Sequence, residues 1–294
     1  MDRRLSLIFI IIVSMLFTAC VNQSNNKTGR IEKKEKAPRS LSQVADGIDE
    51  ILDSIDSISE IMELSESEFQ TQRNKSQKKD NPSNEENKGQ GEQEQEENKG
   101  ENKGVGQDKK EEKKDIMTKE EELVIKWKEI DDKLKKVHEA WNEYEVESLE
   151  KGINSDKAKE FKKNLNAFTI AVEDRKISNI MDTGSKSIGS LAPFFDLYKD
   201  EIKGDLSRVK YSVHQSFLKG YEGNKQAAQK LLNGTEEYTA RIRQKLGDDQ
   251  NKIKGLDRLT LAISDMKLAL EENNGELLRI KRDIALNNIK SLQE

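Results

Sequence analysis

Residues 41–62 read LSQVADGIDEILDSIDSISEIM, and apolar side chains recur along them at alternating intervals of three and four residues. This spacing places the apolar side chains in one stripe along an α-helix, at the lower length limit for a coiled coil. The stripe consists of Leu41, Val44, Ile48, Ile51, Ile55, Ile58 and Met62. An isolated helix of this length is only marginally stable in water, so something must cover the stripe.

Three partners could cover the stripe of this amphipathic helix, which we place at residues 41–70. The pattern favours the C-terminal part of the same chain. Self-association through residues 41–62 and folding onto another protein are the alternatives. Gly47 lies inside the pattern and weakens the helix slightly, because glycine is a poor helix former.

A second helical region occupies residues 116–294, where apolar residues again recur at intervals of three and four. Thr118 and Glu121 fit a capping box at its start, before a stripe that includes Trp127 and Trp141. No alternating run of β-branched residues competes with these helical periods. The sequence therefore predicts an all-α chain whose C-terminal part is a bundle of five to seven helices.

Glycine and proline mark the expected boundaries of these helices. We expect one helix to run from near Ser155 to Gly184, and a shorter helix to start close to Pro193. A later helix is expected to bend or break at Gly234. The last segment could be one helix that is kinked at residues 273–275, or two helices.

Residues 71–115 form a low-complexity segment in which Val105 is the one aliphatic or aromatic side chain. The tetrapeptide Glu-Asn-Lys-Gly occurs at residues 86–89, 97–100 and 101–104. Such a segment cannot bury enough apolar area to offset the entropy lost on ordering it. We predict a disordered spacer that separates the amphipathic helix from a distal domain and spans roughly 35–40 Å as a flexible coil.

The first twenty residues have the form of a secretory signal peptide, and the residues that end at Cys20 resemble a bacterial lipobox. Basic residues precede an apolar run of about 13 residues, which is about 20 Å long as a helix and too short for a hydrocarbon core of about 30 Å. We predict that residues 1–19 are a signal peptide, that Cys20 carries lipid, and that residues 20–40 form a flexible tether. A plain secreted protein with a free thiol is the alternative.

Few residues in the sequence could support catalysis. His138 and His214 stand alone, without a second ligand at metal-binding spacing, so we predict no metal site, no cofactor and no enzymatic activity. The single cysteine excludes an intrachain disulfide. The net charge of −5 argues against a nucleic-acid partner, because such partners require a basic surface.

Two sets of side chains are candidates for ligand contacts. The first set is the basic cluster Lys157, Lys159, Lys162 and Lys163. It could bind a sulfated glycosaminoglycan or an acidic protein surface, although such lysines more often form solvated, ion-paired helix faces. The second set is Phe194 and Phe195, which cannot both point inward from a regular helix, so we expect one of them to be an exposed contact residue. Smaller basic clusters occur at residues 241–245 and 279–282.

The sequence Phe17-Thr18-Ala19-Cys20, the Asn- and Lys-rich residues after it, the Glu/Lys/Asn/Gly repeats and the cysteine-free helical region together resemble the outer-surface lipoproteins of Borrelia spirochaetes. Phe17 stands where the usual lipobox has leucine, a relaxed form that occurs in spirochaetal lipoproteins. The resemblance implies a lipid anchor on Cys20 in the outer membrane, display on the cell surface, and binding of host complement proteins, matrix proteins or glycosaminoglycans. A structural or self-associating periplasmic lipoprotein is the alternative.

Overall fold

The computed structural model describes residues 36–79, 117–198 and 202–293. Every regular element in these three ranges is a helix, which confirms the predicted all-α class. The predictions for the signal peptide, for Cys20, for most of the tether and for the spacer from residue 80 onward lie outside the described residues.

Ten α-helices and one short 3-10 helix, Leu149–Lys151, occupy the described ranges. The α-helices are α1 (Arg39–Glu63), α2 (Glu66–Lys79), α3 (Lys119–Glu147), α4 (Ser155–Glu173), α5 (Ile177–Phe195), α6 (Lys203–Tyr221), α7 (Lys225–Asn233), α8 (Thr235–Leu246), α9 (Gln250–Glu271) and α10 (Gly275–Gln293). Eight of them follow residue 117, more than the five to seven predicted. The segments that were expected to bend at Gly234 and at residues 273–275 each form two helices.

The predicted boundary between α4 and α5 is wrong. α4 ends just before Arg175, whose φ of 53° is left-handed, and α5 then runs without interruption through Gly184. Gly184 permits close packing, because a Cβ there would lie 2.8 Å from side-chain atoms of both Leu52 and Phe168. Pro193 lies in the last turn of α5 and does not start a helix, and its missing N–H removes only one helical hydrogen bond.

Side-chain caps fix the starts of α3 and α4 as the sequence indicated. The hydroxyl of Thr118 accepts a hydrogen bond from the backbone N–H of Glu121 (3.2 Å), and the Glu121 carboxylate accepts one from the Thr118 N–H (2.8 Å). This reciprocal pair confirms the predicted capping box. Asn154 caps α4 through its Oδ1, one residue before the Ser155 at which we expected that helix to begin.

The apolar stripe of α1 is covered by the rest of the same chain. Its six residues from Leu41 to Ile58 are fully buried among side chains of α3, α4 and α5, and only Met62 is exposed. Gly47 lets the two backbones approach, because a Cβ there would lie 2.6 Å from Val137 of α3. Self-association through residues 41–62 would therefore require α1 to leave the bundle.

α1 and α3 lie antiparallel, which brings the end of α1 to the start of α3. The Lys119 ammonium donates a hydrogen bond to the carbonyl oxygen of Met62 (3.0 Å), and at the far end of the pair the Ser40 hydroxyl donates to the Glu147 carboxylate (2.6 Å). With 25 residues, α1 is about 37 Å long. The N-terminal segment thus enters the bundle at the end opposite to the start of α3.

The chain leaves the bundle after α2 and returns to the same end at α3. The Gln70 side-chain amide donates to the carbonyl oxygen of Met117 at 2.9 Å, across 47 residues of sequence. Residues 80–116 are therefore an insertion within one bundle, whereas we had predicted a spacer between a helix and a separate domain. The predicted spacer also began too early, since residues 71–79 belong to α2.

Two apolar cores lie side by side in the molecule. The N-terminal core joins α1, α3, α4 and α5, and its centre is an aromatic cluster in which Trp141 lies 4.2 Å from Phe161 and 5.2 Å from Phe194, between ring centroids. The C-terminal core joins α6 to α10. α5 and α6 pack closely and connect the two cores, and Gly189 of α5 makes room for Tyr211 of α6.

The insertion can be tested by shortening it. Replacement of residues 80–116 by a Gly/Ser linker of about ten residues should leave the helical circular dichroism spectrum intact and raise the free energy of unfolding by about 1 kcal/mol, because a shorter loop loses less entropy on closure. Urea denaturation measures this change.

In a second variant, a protease site placed within residues 80–116 is cut, and the two fragments should still co-elute on gel filtration. Release of the N-terminal fragment would contradict the single-bundle architecture.

Candidate functional site

The basic cluster predicted on α4 is exposed but largely neutralised. Its ion pairs are Lys157 with Glu160 (2.9 Å), Lys159 with Asp156 (3.8 Å) and Lys162 with Glu145 (2.5 Å). Lys163 is also exposed. Paired, solvated lysines of this kind contribute little attraction for a polyanion. The clusters at 241–245 and 279–282 are paired as well: Arg241 with Asp205, Arg243 with Asp257, Arg279 with Glu60, Lys281 with Asp265 and Arg282 with Asp56.

The prediction that Phe194 or Phe195 is an exposed contact residue is wrong. Both side chains are buried, with 1% and 0% of their surface exposed. The reason is that α5 has neighbours on several sides, namely α1, α4 and α6, so that two adjacent residues both find a buried environment. Helical periodicity alone does not reveal how many sides of a helix are covered.

An open groove of about 790 Å³ runs along α6 and is the best candidate for a binding surface; we call it the α6 groove. One wall comes from α4 and α5, including Lys157 and Pro193. The opposite wall comes from α7 and α8, including Lys230 and Tyr238. Of the predicted ligand-binding residues, the structure places Lys157 in this groove.

The charges of the α6 groove are mixed. Five cationic side chains line it, and four of them are paired with carboxylates. The pairs are Lys157 with Glu160, Lys186 with Asp182, Arg208 with Asp196 and Asp205, and Lys219 with Glu222. Lys230 is exposed and forms no ion pair among the described residues. The groove therefore offers charges of both signs and carries no strong positive field.

Two half-buried tyrosines give the α6 groove its aromatic surface. Tyr211 packs against Gly189 of α5, where an added Cβ would lie 3.0 Å from the tyrosine ring. Tyr238 lies beneath two guanidinium groups, with Arg241 at 5.0 Å and Arg208 at 5.9 Å from the ring centroid. Tyrosine and arginine are the side chains that most often anchor protein–protein contacts. Sequence reasoning missed Tyr211, because nothing in the primary structure marks it as lining a groove.

A second cavity, of about 350 Å³, lies between α1, α6 and α10, and His214 lines it. The side chain of His214 is buried, and its Nδ1 has no hydrogen-bond partner in the part of the chain that the structure describes. Burial, together with the charges of Arg282 and Lys210, lowers the pKa of His214 to about 3, so the imidazole is neutral at pH 7.

His138 lies in a different environment, at the boundary between α3 and α4. It is half-buried, and its Nε2 lies 2.8 Å from the Thr169 hydroxyl, while partial burial lowers its pKa. Across residues 36–79, 117–198 and 202–293, no group of three or more His, Cys, Asp or Glu side chains is arranged to hold a metal ion. None of the helices in these ranges is both long and apolar enough to span a bilayer.

No protein-family model, curated protein or solved structure matches this chain. A functional conclusion therefore depends on the chemistry of the α6 groove itself.

His214 predicts a specific dependence of stability on pH. The unfolded chain takes up a proton on this residue below pH 6.5, whereas the folded chain takes it up only near pH 3. Stability from this group is thus lost as pH falls from 6.5, and the free energy of unfolding should drop by about 2 kcal/mol between pH 7 and pH 5. In His214→Gln, the drop measured by urea denaturation should be smaller by about that amount.

The half-buried His138 supplies the matched control for this measurement. His138→Gln should change the pH-dependent drop less than His214→Gln does, because burial of His138 is only partial. Carboxylates contribute equally to the parent and to both variants, so they cancel in the comparison. If the free energy of unfolding fell equally in the parent and in His214→Gln between pH 7 and pH 5, His214 would take up its proton in the folded chain as readily as in the unfolded chain, which would contradict the prediction.

Proposed function

We propose that this chain is a lipid-anchored cell-surface protein that captures a host protein in its α6 groove. The observation that carries the proposal is a long, open groove with lysine side chains on both walls, Tyr238 on one wall, and Tyr211 and Arg208 on α6 between the walls. A partner would be held by contact along helix faces, so no covalent chemistry is needed. The resemblance to spirochaetal surface lipoproteins supports a host partner of the complement or extracellular-matrix type.

The charge pattern favours a protein over a sulfated glycosaminoglycan. A polyanion binds by displacing counter-ions from a surface with excess positive charge. In the α6 groove, four of the five cations already have carboxylate partners, so a polyanion would have to compete with them. A protein surface carries both signs of charge and can match such a groove with its own pairs and with tyrosine contacts.

The anchor would hold the bundle close to the membrane. Because α1 begins at Arg39 and is part of the bundle, only residues 21–38 separate Cys20 from the fold. The flexible tether that the sequence predicts would span roughly 21–25 Å over these 18 residues. The end of the bundle that bears Gln70 and Met117 would then face away from the membrane, because it lies at the opposite end of α1 from Arg39.

Charge reversal on both walls of the groove tests the binding site. Lys157→Glu with Lys230→Glu should weaken the binding of a serum or matrix protein by about tenfold or more, measured by surface plasmon resonance after pull-down and mass spectrometry have identified it. Lys135→Glu with Lys254→Glu is the matched control, because both lysines are exposed and lie outside the groove, and Lys135 is ion-paired whereas Lys254 has no ion pair within the described residues. Equal loss in both variants would place the site elsewhere.

Heparin affinity chromatography distinguishes the glycosaminoglycan alternative. The parent and the groove variant should elute at similar, low salt concentrations. Strong retention of the parent that is lost in Lys157→Glu with Lys230→Glu would replace the host protein by a sulfated glycan as the partner.

Proteinase treatment of intact cells separates surface display from the second candidate, a structural periplasmic lipoprotein. The surface protein should be degraded while a periplasmic marker survives, because only the surface protein is accessible. Survival of the full-length chain until the outer membrane is permeabilised would support the periplasmic role.

A further inference from the structure

Where α1 of the N-terminal core faces α6 and α10 of the C-terminal core, the contact is mainly polar, and we call it the polar seam. On one side lie Asp49 and Asp56 of α1, and on the other lie Lys210 and His214 of α6 and Arg282 of α10. Lys210 pairs with Asp49, and the Arg282 guanidinium pairs with Asp56 at 2.9 Å. Both cations are buried, with 6% and 2% of their surface exposed.

Long side chains, and not close helix packing, connect α1 to α6 and α10 across the polar seam. α1 packs its backbone closely against α3 and α5 but approaches α6 and α10 mainly through ion pairs. Two further contacts of this kind join the same helices. The Lys203 ammonium donates a hydrogen bond to the Ser42 hydroxyl (2.9 Å), and Arg279 forms an ion pair with Glu60 (2.7 Å). The cavity of about 350 Å³ and the unpartnered Nδ1 of His214 show that the seam is incompletely packed.

Such a boundary costs less to open than an apolar core does. The carboxylates of these pairs are half-buried, and separation of the pairs returns the buried cations to water, which offsets much of the attraction that is lost. Each of the two cores, by contrast, would expose many apolar side chains if it opened. Interfaces of this polar type between structural units generally permit relative motion.

The polar seam and the α6 groove lie on different faces of α6. Lys203, Lys210 and His214 face the seam, at intervals of seven and four residues. The groove is lined by residues such as Arg208, Ser212 and Gln215, on another face of the helix. Between them, α5 and α6 are held together by hydrogen bonds from the Gln215 amide to Asp182 and Ser185, each 2.9 Å long.

We propose that the two cores rotate about the α5–α6 contact, so that opening of the polar seam narrows the α6 groove. The groove has one wall from each core, since α4 and α5 belong to the N-terminal core and α7 and α8 to the C-terminal core. The motion would thereby regulate access to the binding site. This regulatory role rests on the proposed function, whereas the motion itself does not.

Distance measurements between spin labels on the two walls test the motion directly. Cys20 is the only cysteine, so Cys20→Ser allows labels to be placed uniquely at Lys157→Cys and Lys230→Cys. The parent should show two distances, a major one and a second, shorter one from the molecules with an open seam. A label pair within the N-terminal core, Lys128→Cys with Lys159→Cys, should show one distance.

A variant in which an ion pair of the polar seam is replaced by apolar side chains, here called the apolar-seam variant, is the decisive test of the motion. Asp49→Leu with Lys210→Met replaces an ion pair between a buried lysine and a half-buried aspartate by apolar side chains, a kind of change that often preserves or increases stability. It should remove the shorter distance across the groove, because opening would now expose apolar surface. If this variant fails to fold, Asp56→Leu with Arg282→Met and Asp283→Asn makes a similar change at the second ion pair, where Arg282 also pairs with Asp283. A single distance in the parent, or a second distance that is longer, would overturn the proposal.

Chemical modification of His214 gives an independent measurement. Diethyl pyrocarbonate reacts with neutral imidazole, so the rate at His214 reports how often the seam opens. The modification rate at His214 should exceed the rate that global unfolding permits by about tenfold or more. In the apolar-seam variant the rate at His214 should fall, while the rate at His138 should stay the same. Reaction only at the rate of global unfolding would also overturn the proposal. If the seam opens but Lys157→Glu with Lys230→Glu binds its partner as the parent does, the proposed function would be refuted and the proposed motion would stand.

Discussion

Burial of the apolar stripe of α1 is the interaction on which the rest of the structure depends. Its six side chains from Leu41 to Ile58 have no exposed surface, and each fully buried aliphatic side chain of this size contributes about 1.5–3 kcal/mol. Without α1, the aromatic and aliphatic residues of α3 and α5 would face water. The helix is thus a constituent of the N-terminal core, although a long, polar stretch of sequence separates it from the other helices of that core.

That position of α1 changes the meaning of the low-complexity segment. A spacer between two units would set the reach of a distal domain, and its length would matter for function. An insertion whose flanking helices contact each other at one end of a bundle does not set such a reach. The stability of the fold then depends on the length of the insertion only through the modest entropy of closing a loop.

The high charge content of the chain, 36% of its residues, serves structure as well as solubility. Lys210 and Arg282 are buried between the two cores, and Asp205 is buried between Arg208, Arg241 and Lys245. Hydrogen bonds to Arg241 and Lys245 lower the pKa of Asp205 despite the cost of its burial. Because many cations pair with carboxylates of the same chain, the α6 groove presents charges of both signs.

Some residues of the α6 groove could be predicted from the sequence and others could not. Lys157 was found because it belongs to a local cluster of lysines, and local clusters can be read from neighbouring residues. Tyr211, Tyr238 and Lys230 come from three helices that are brought together only by packing. Phe194 was misassigned for the same reason, since its exposure depends on which helices surround α5.

The sequence by itself determined the all-α class, the stripe of α1 and the capping box at Thr118, because each depends on interactions among residues within a few positions of one another. Only the tertiary structure decided that α1 belongs to the main bundle, that the apolar residues form two cores, and that Lys210 and His214 lie in a polar seam between them. Periodicity indicates that an apolar stripe must be covered, but the stripe can be buried against any apolar surface. The choice among those surfaces is made by shape, as at Gly47 and Gly184, where only glycine allows the helices to meet.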